Sequence, residues 1–297
     1  MAEHAAGTAA ERDHDRVGVL LVLIAGVGFG TLGIFGTYAQ GAGLSIPTVL
    51  LYRFFVATLA VWGVLLAQGR LRPLRGRTLL AAVGLGSLGY ATMSGLFFLG
   101  LEYMTAGLVA IVFYTYPAFV VLLAVVAVGE RVTRTTVVAL ALALGGVGLV
   151  VGADPAGASQ TGVAIMIAAA LTYAVYITVS RAVLETTDSL LLTAHVLPAA
   201  GLTFLVGGSI TNDLAIPGTP TAWGILVGVA LLGTAVPVFT FFAGLSRIGA
   251  SRTGIISTAE PLVTVALGVI LFAEPLSLPT VAGGGLILSA VVLLQTA

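Results

Sequence analysis

The sequence predicts an all-α integral membrane protein with ten transmembrane helices in two inverted five-helix repeats. Three observations carry that expectation: an extreme composition, ten long apolar runs with arginine confined to alternate gaps, and a self-match at one fixed offset. Of the 297 residues, 59% are hydrophobic and 8% charged, with a mean hydropathy of +1.14. A soluble domain carries about 25% charged residues, so water is not this chain's main solvent. The formal net charge is zero, which removes the electrostatic basis for nucleic-acid binding. Cysteine is absent, and with it disulfides, thiol nucleophiles and thiolate metal sites. All 12 basic residues are arginine.

Taken from the N-terminus, residues 1–16 are polar and read as a disordered cytoplasmic tail. The apolar run at 17–38 is longer than the 7–15-residue core of a signal peptide and is the first of many, so it reads as a retained helix. Further runs follow at 46–68, 78–101, 105–129, 135–152, 162–181, 190–209, 221–245, 251–273 and 278–296. About 20 apolar residues span a hydrocarbon core of roughly 30 Å. Backbone polar groups in lipid must be bonded within the structure, and runs without period-two alternation are helices rather than barrel strands.

The arginines test the order of crossings. Arg12 and Arg16 precede the first run, and Arg70, Arg72, Arg75 and Arg77 lie between the second and third. Arg131 and Arg134 follow the fourth, Arg181 ends the sixth, and Arg247 and Arg252 lie between the eighth and ninth. With ten crossings, all of these fall on one side. The positive-inside rule makes that side cytoplasmic, which places both termini there, in a plasma or inner membrane.

The chain also repeats itself. Shifted by 144 residues, 97–132 lies on 241–276 without a gap. Phe97, Phe98, Gly100, Pro117 and Glu130 then coincide with Phe241, Phe242, Gly244, Pro261 and Glu274. The repeats are taken as 17–152 and 161–296. Five crossings is an odd number, so the second repeat enters the membrane inverted. Such repeats place a substrate site near the midplane where they meet.

These features together resemble the drug/metabolite transporter superfamily, EamA type, over nearly the whole chain. The resemblance lies in two homologous sets of five helices, Arg53 in YRFFVATL, Gly129-Glu130-Arg131, the Glu260-Pro261 step and Ala273–Ser277 (AEPLS). Two departures are Phe29, where such proteins often have tryptophan, and the aromatic Tyr114-Thr115-Tyr116 before Pro117. The resemblance implies secondary transport, usually export, of small metabolites or drugs.

Several motifs point elsewhere and fail on context. Gly28, Gly30 and Gly33 match a dinucleotide fingerprint, but they lie inside a membrane run with no acid until Glu102, so close helix packing is expected instead. A Walker A loop needs lysine, and the chain has none. Neither a cofactor nor a metal site is expected, nor enzymatic chemistry.

Glu260 stands out. It lies 11 residues beyond Gly249, about 16 Å deep at 1.5 Å per residue. A carboxylate there costs about 3 kcal/mol on insertion scales and faces a polar interior. Pro261 donates no N–H and disfavours the preceding turn, freeing a carbonyl near Ser257. The repeat shift maps Glu260 and Pro261 onto Tyr116 and Pro117. Tyr114, about 200° round the same helix, is expected to face elsewhere. Arg53 either snorkels to the outer surface or enters the cavity, binding an anionic substrate group or pairing with Glu260. Tyr90, Tyr173 and Tyr176 are either cavity walls or core. His195 is expected to be a packed, hydrogen-bonded residue. Glu130 and Glu274 are expected to sit at opposite membrane surfaces, each as an interfacial anchor or as a cap on the segment that follows it. The candidate substrate site is therefore Tyr116, Pro117, Glu260, Pro261, Arg53 and Tyr90, with Glu260 the candidate for proton coupling.

The expected function is a secondary transporter of a small organic solute, with a substrate, the bilayer and protons as partners. A passive facilitator, a membrane-embedded enzyme and a non-transporting scaffold stay open, and the oligomeric state is not legible. The topology is testable by substituting Arg75→Cys and Gly218→Cys in this cysteine-free chain. An impermeant thiol reagent applied to intact cells is expected to label position 218 and spare 75; the opposite pattern overturns the orientation.

Overall fold

The computed structural model describes the backbone of residues 2–128, 133–153, 159–248 and 250–296; side chains are described for 15–123, 133–135, 137–150, 159–248 and 252–296. The described residues form ten helical segments and no strand. They are α1 (Ala2–Gly41), α2 (Ile46–Ala67), α3 (Gly76–Gly100), α4 in two pieces (Ala106–Phe113 and Tyr116–Val128) and α5 (Arg134–Ala153). Then come α6 (Gln160–Leu184), α7 (Ser189–Thr211), α8 (Pro220–Ile248), α9 in two pieces (Ala250–Ser257 and Ala259–Phe272) and α10 (Leu278–Thr296). Among the described residues nine are long and apolar enough to cross a membrane, while α5 contributes the shorter apolar stretch Val137–Val150. At 20 residues, α5 is still about 30 Å long. Backbone helix begins at Ala2 and so runs, from Ala2 onward, through the 1–16 stretch expected as a disordered tail; the side chains of 1–14 lie outside the described residues.

The distribution of side chains is that of a protein dissolved in lipid. Leu59, Leu88, Ile210 and Ile270 project outward with 67–78% of their surface accessible, while Thr48, Arg53, Ser94, Thr234 and Thr264 are buried at 3% or less. A soluble domain does the reverse with large apolar patches. Helix starts are closed by hydroxyl or carboxylate caps: Ser45, Thr105, Ser159, Asp188 and Thr219 each accept from a first-turn N–H. On the arginine-bearing side two ion pairs join separate loops and ends, Arg70 with Asp188 at 3.1 Å and Arg252 with Asp15 at 2.6 Å.

Packing follows the internal repeat. In the first five helices α1 stands where α6 stands in the second, and the contacts are exchanged accordingly. Helix α1 packs on α8 and α9, and α6 packs on α3 and α4. The equivalent pairs α2–α7, α4–α9 and α5–α10 pack on each other. Irregularities recur as well. α4 breaks at Tyr114-Thr115 and α9 at Thr258, and the 144-residue shift sets Tyr114 on Thr258. α3 and α8 each contain a π-helical turn, Leu85–Tyr90 and Leu231–Ala235, within two residues of that shift. Such turns inside α-helices mark functional positions more often than chance.

Close packing of α1 on α8 and α9 uses the glycines that resemble a dinucleotide fingerprint. A Cβ on Gly30 would lie 2.9 Å from Val263 and 3.0 Å from the Glu260 carbonyl oxygen. The bare backbone instead lets Thr264 Oγ1 donate to the Gly30 carbonyl at 2.8 Å. This contact sets the distance of Glu260's turn from α1.

Glu274 departs from expectation. It does not cap the segment that follows it; Ser277 does that for α10. α9 ends in a left-handed Ala273, which turns the Glu274 carboxylate back toward the start of α4. There Oε1 accepts from Ala106 N at 2.8 Å and Oε2 from Gly107 N at 3.0 Å. The two N–H groups belong to a helix start and lack intrahelical partners, and the helix dipole favours the negative charge. One repeat's last acid thus caps the other repeat's fourth helix. Glu130, its repeat equivalent, lies outside the described residues. Glu274→Gln removes the charge and one acceptor. It is expected to lower stability by about 1–2 kcal/mol, read as a reduced thermal midpoint in detergent; an unchanged midpoint would show that the cap does not hold α4.

Candidate substrate site

The two helix breaks face each other at the contact of α4 with α9. A break leaves carbonyls without helical partners, and in lipid each such group must find another donor. At the α9 break the Ser257 carbonyl is the freed group, as Pro261 implies, and its donor is the Tyr114 hydroxyl at 2.7 Å. The same hydroxyl lies 2.9 Å from Glu260 Oε2. Tyr114 is therefore the direct partner of Glu260 and does not face elsewhere. The expected 200° separation assumes an unbroken helix. Here Tyr114 N still bonds Ala110 O, but Thr115 N bonds Val112 O and Ala118 N bonds Thr115 O, so the 100° step per residue does not run through the break. Tyr116, paired with Glu260 by the repeat, stands beside Tyr114 with ring centroids 5.7 Å apart. Pro117 and Pro261 lie in the first turns of the second pieces of their helices, and Pro261 is buried.

Tyr114 offers one proton to two acceptor oxygens. When Glu260 is ionised, the carboxylate and the Ser257 carbonyl compete for it. When Glu260 carries a proton, the carboxyl donates to the phenol oxygen and the phenol donates to Ser257, so each group is satisfied. The hydrogen bonding at the helix break therefore differs between the two forms of Glu260.

From this cluster tyrosines run across the bundle to Arg53. Tyr116 meets Tyr173 at 4.8 Å, Tyr173 stacks on Tyr176 at 5.9 Å with planes 9° apart, and Tyr176 meets Tyr90 at 5.6 Å. Phe113 packs on both Tyr116 and Tyr173. Tyr114 is buried, while Tyr116, Tyr173, Tyr176, Tyr90 and Glu260 are half-buried. The ladder joins α4, α6 and α3, and its two ends carry the carboxyl and the guanidinium.

Arg53 is 2% exposed and does not snorkel to the surface. Its face of α2 points into the bundle toward the π-helical turns of α3 and α8. Nε donates to Thr234 Oγ1 at 2.9 Å, and Nη2 makes a long contact of 3.5 Å with the Tyr90 hydroxyl. The guanidinium carbon lies 5.0 Å from the Phe54 ring centre and 5.8 Å from that of Phe98, within cation–π range. It does not pair with Glu260 or with any other carboxylate among the described residues.

The site residues thus divide into two groups. Glu260, Pro261, Tyr116 and Pro117 come together at the breaks; Arg53 and Tyr90 come together at the π-turns; tyrosines connect them. Tyr114 and Thr234 are added by the structure. Thr234 was findable, because the shift of 144 residues sets it on Tyr90. His195 is a packed residue, accepting from Leu74 N at 3.2 Å and facing the Leu191 carbonyl at 2.9 Å. Among the described residues no group of acids and histidines could hold a metal ion.

Against known proteins, the EamA-like transporter family matches residues 16–152 and again 160–296. The chain is 28% identical to an uncharacterized transporter of Archaeoglobus fulgidus, over 82% of this chain and 87% of that protein. It is 27% identical to the uncharacterized transporter YcbK of Bacillus subtilis, over 90% and 89% of the two chains. One crystal structure shares the fold, with a TM-score of 0.65 at 18% identity over 93% of this chain and 95% of that one.

The hydroxyl of Tyr114 is testable apart from its ring. Tyr114→Phe leaves the Ser257 carbonyl and the Glu260 carboxyl without their donor, whereas Tyr103→Phe removes an exposed hydroxyl outside the site. At equal amounts of folded protein, solute flux in reconstituted vesicles is expected to fall tenfold or more in the first and to change little in the second, on the basis that an unsatisfied buried group costs about 1–3 kcal/mol. Equal flux in both would remove Tyr114 from the site.

Proposed function

Because the chain belongs to the EamA-like transporter family, we propose that this multi-pass membrane transporter is a secondary exporter of a small organic metabolite or drug, working by alternating access and coupled to protons through Glu260. The observation that carries the proposal is the meeting of two broken helices, one from each repeat, across a carboxyl–phenol–carbonyl bridge. Broken helices at a repeat interface are where such transporters hold substrate. With α5 as a full crossing, ten crossings in two fives invert the second repeat. The exchanged packing of α1 on α8 and α9 against that of α6 on α3 and α4 supports the same arrangement.

Coupling follows from the two bonding states at the break. A proton on Glu260 satisfies the Ser257 carbonyl through Tyr114; its loss makes two acceptors compete for one donor. A solute that binds one state better than the other shifts the population between them, so a proton gradient can drive solute movement. The proposed setting is a plasma or inner membrane with both termini cytoplasmic. The substrate contacts are Glu260, Pro261, Tyr116, Pro117, Tyr90 and Arg53, with Tyr114 added.

The test begins with the solute, taken as the metabolite whose ratio between medium and cells changes on overexpression and on deletion. Its uptake into vesicles is then measured with and without a pH gradient. Glu260→Gln is expected to preserve exchange of solute but to abolish acceleration by the gradient. Wild-type transport indifferent to the gradient leaves a passive facilitator, and wild-type behaviour in Glu260→Gln withdraws the site.

A further inference from the structure

We propose that Arg53 is the receptor for the oxyanion of the transported solute, so that the substrate is an organic anion whose carboxylate or phosphate lies on the guanidinium and whose body lies along the tyrosine ladder. The proposal rests on the transport function above and names its substrate class.

The first support is charge. Arg53 is 2% exposed, and an arginine at membrane depth is costly unless something compensates it. A carboxylate would do so, but among the described residues none lies within 4.0 Å of it. Phe54 and Phe98 compensate in part through their faces. Of the five N–H donors of a guanidinium, the Thr234 and Tyr90 contacts engage Nε and Nη2. Nη1 donates to nothing among the described residues. A planar fork with donors to spare matches a carboxylate or a phosphate bidentately.

The second support is position. Under the shift of 144 residues Tyr90 falls on Thr234, and Arg53 contacts both. The guanidinium is thus held between equivalent points of the two repeats, where they meet, which is where inverted-repeat transporters place substrate. Both points lie in π-helical turns, and the Thr234 hydroxyl itself donates to Val229 O five residues back at 3.0 Å. Neither contact neutralises the charge, and the one to Tyr90 is long, so an incoming oxyanion can take the Nη donors without breaking an ion pair.

The third support is the wall. Tyr90 begins a run of π faces and hydroxyls through Tyr176, Tyr173 and Tyr116, each half-buried. Flat rings that keep accessible surface suit a solute with a planar or apolar body. The ladder ends at Glu260, a repulsive partner for a second negative charge whenever Glu260 is ionised, so a monoanion is the expected form.

The test measures binding in purified, detergent-solubilised protein, with no transport involved. Benzoate, phenyl phosphate and the neutral benzamide serve as probes at one ionic strength, read as shifts of the thermal midpoint. In the wild type, benzoate or phenyl phosphate is expected to raise the midpoint in a saturable manner and benzamide is not; which of the two acts identifies a carboxylate or a phosphate head. Arg53→Gln is expected to lose the response at least tenfold in apparent affinity, and Arg53→Lys to retain part of it. Should Arg53→Gln not fold, Arg53→Lys carries the comparison, since it keeps the charge but not the planar fork, and an undiminished response there also counts against the proposal. Equal shifts from benzoate, phenyl phosphate and benzamide, no shift from either anion, or an undiminished response in Arg53→Gln overturns the proposal. Anion binding without vesicle flux would instead defeat the transport function while leaving the receptor in place.

Discussion

The organising constraint is that every backbone polar group within lipid must be bonded by the chain itself. Unbroken helices meet it without help, which is why most of this protein is helix. The places that fail to meet it alone are few and are where the polar side chains gather. Ser257 loses its helical partner at the α9 break and takes the Tyr114 hydroxyl. Ala106 and Gly107, at a helix start, take the Glu274 carboxylate. Each repair joins one repeat to the other, so the contact between the halves is built largely from the defects of each half.

That economy explains how apolar helices acquire a specific arrangement. Lipid tails are as apolar as leucine, and the hydrophobic effect does not choose which helices meet. Small residues and polar bonds choose. α1 presents glycine toward α8 and α9; α2 meets α7 with the Trp62 indole N–H donating to the Ala194 carbonyl at 2.7 Å; Arg53 reaches both π-turns. Because the second repeat reuses the first one's pattern, each such choice tends to be made twice.

Most of the architecture was legible in the sequence, because hydropathy and arginine placement respond directly to the bilayer, and because Pro117/Pro261 and Glu130/Glu274 repeat at one offset. Glu260 with its proline could be singled out for the same reason: a carboxyl at that depth has few bland explanations. Its partner could not. Placing Tyr114 required knowing that the helix stops at Tyr114-Thr115, and an angle counted on an intact helix gave the wrong face. Glu274 was misassigned similarly, since its target at Ala106 is 168 residues away and only the left-handed turn at Ala273 aims it there. For Arg53 the sequence allowed an outward snorkel or an inward cavity. The choice fell to the face of α2 and to the π-turns, whose shift of hydrogen-bonding register has no signature in composition.

The Glu274 cap has a mechanical consequence. It fastens the end of α9 to the beginning of α4, while Tyr114 links the same two helices near their middles. Two rods pinned at one end and clasped at the waist part only at the other end. Any displacement that preserves both attachments is therefore a scissor-like splay of α4 from α9 at the ends remote from Glu274, and a splay in the opposite sense must first give up the carboxylate's hold on two amides.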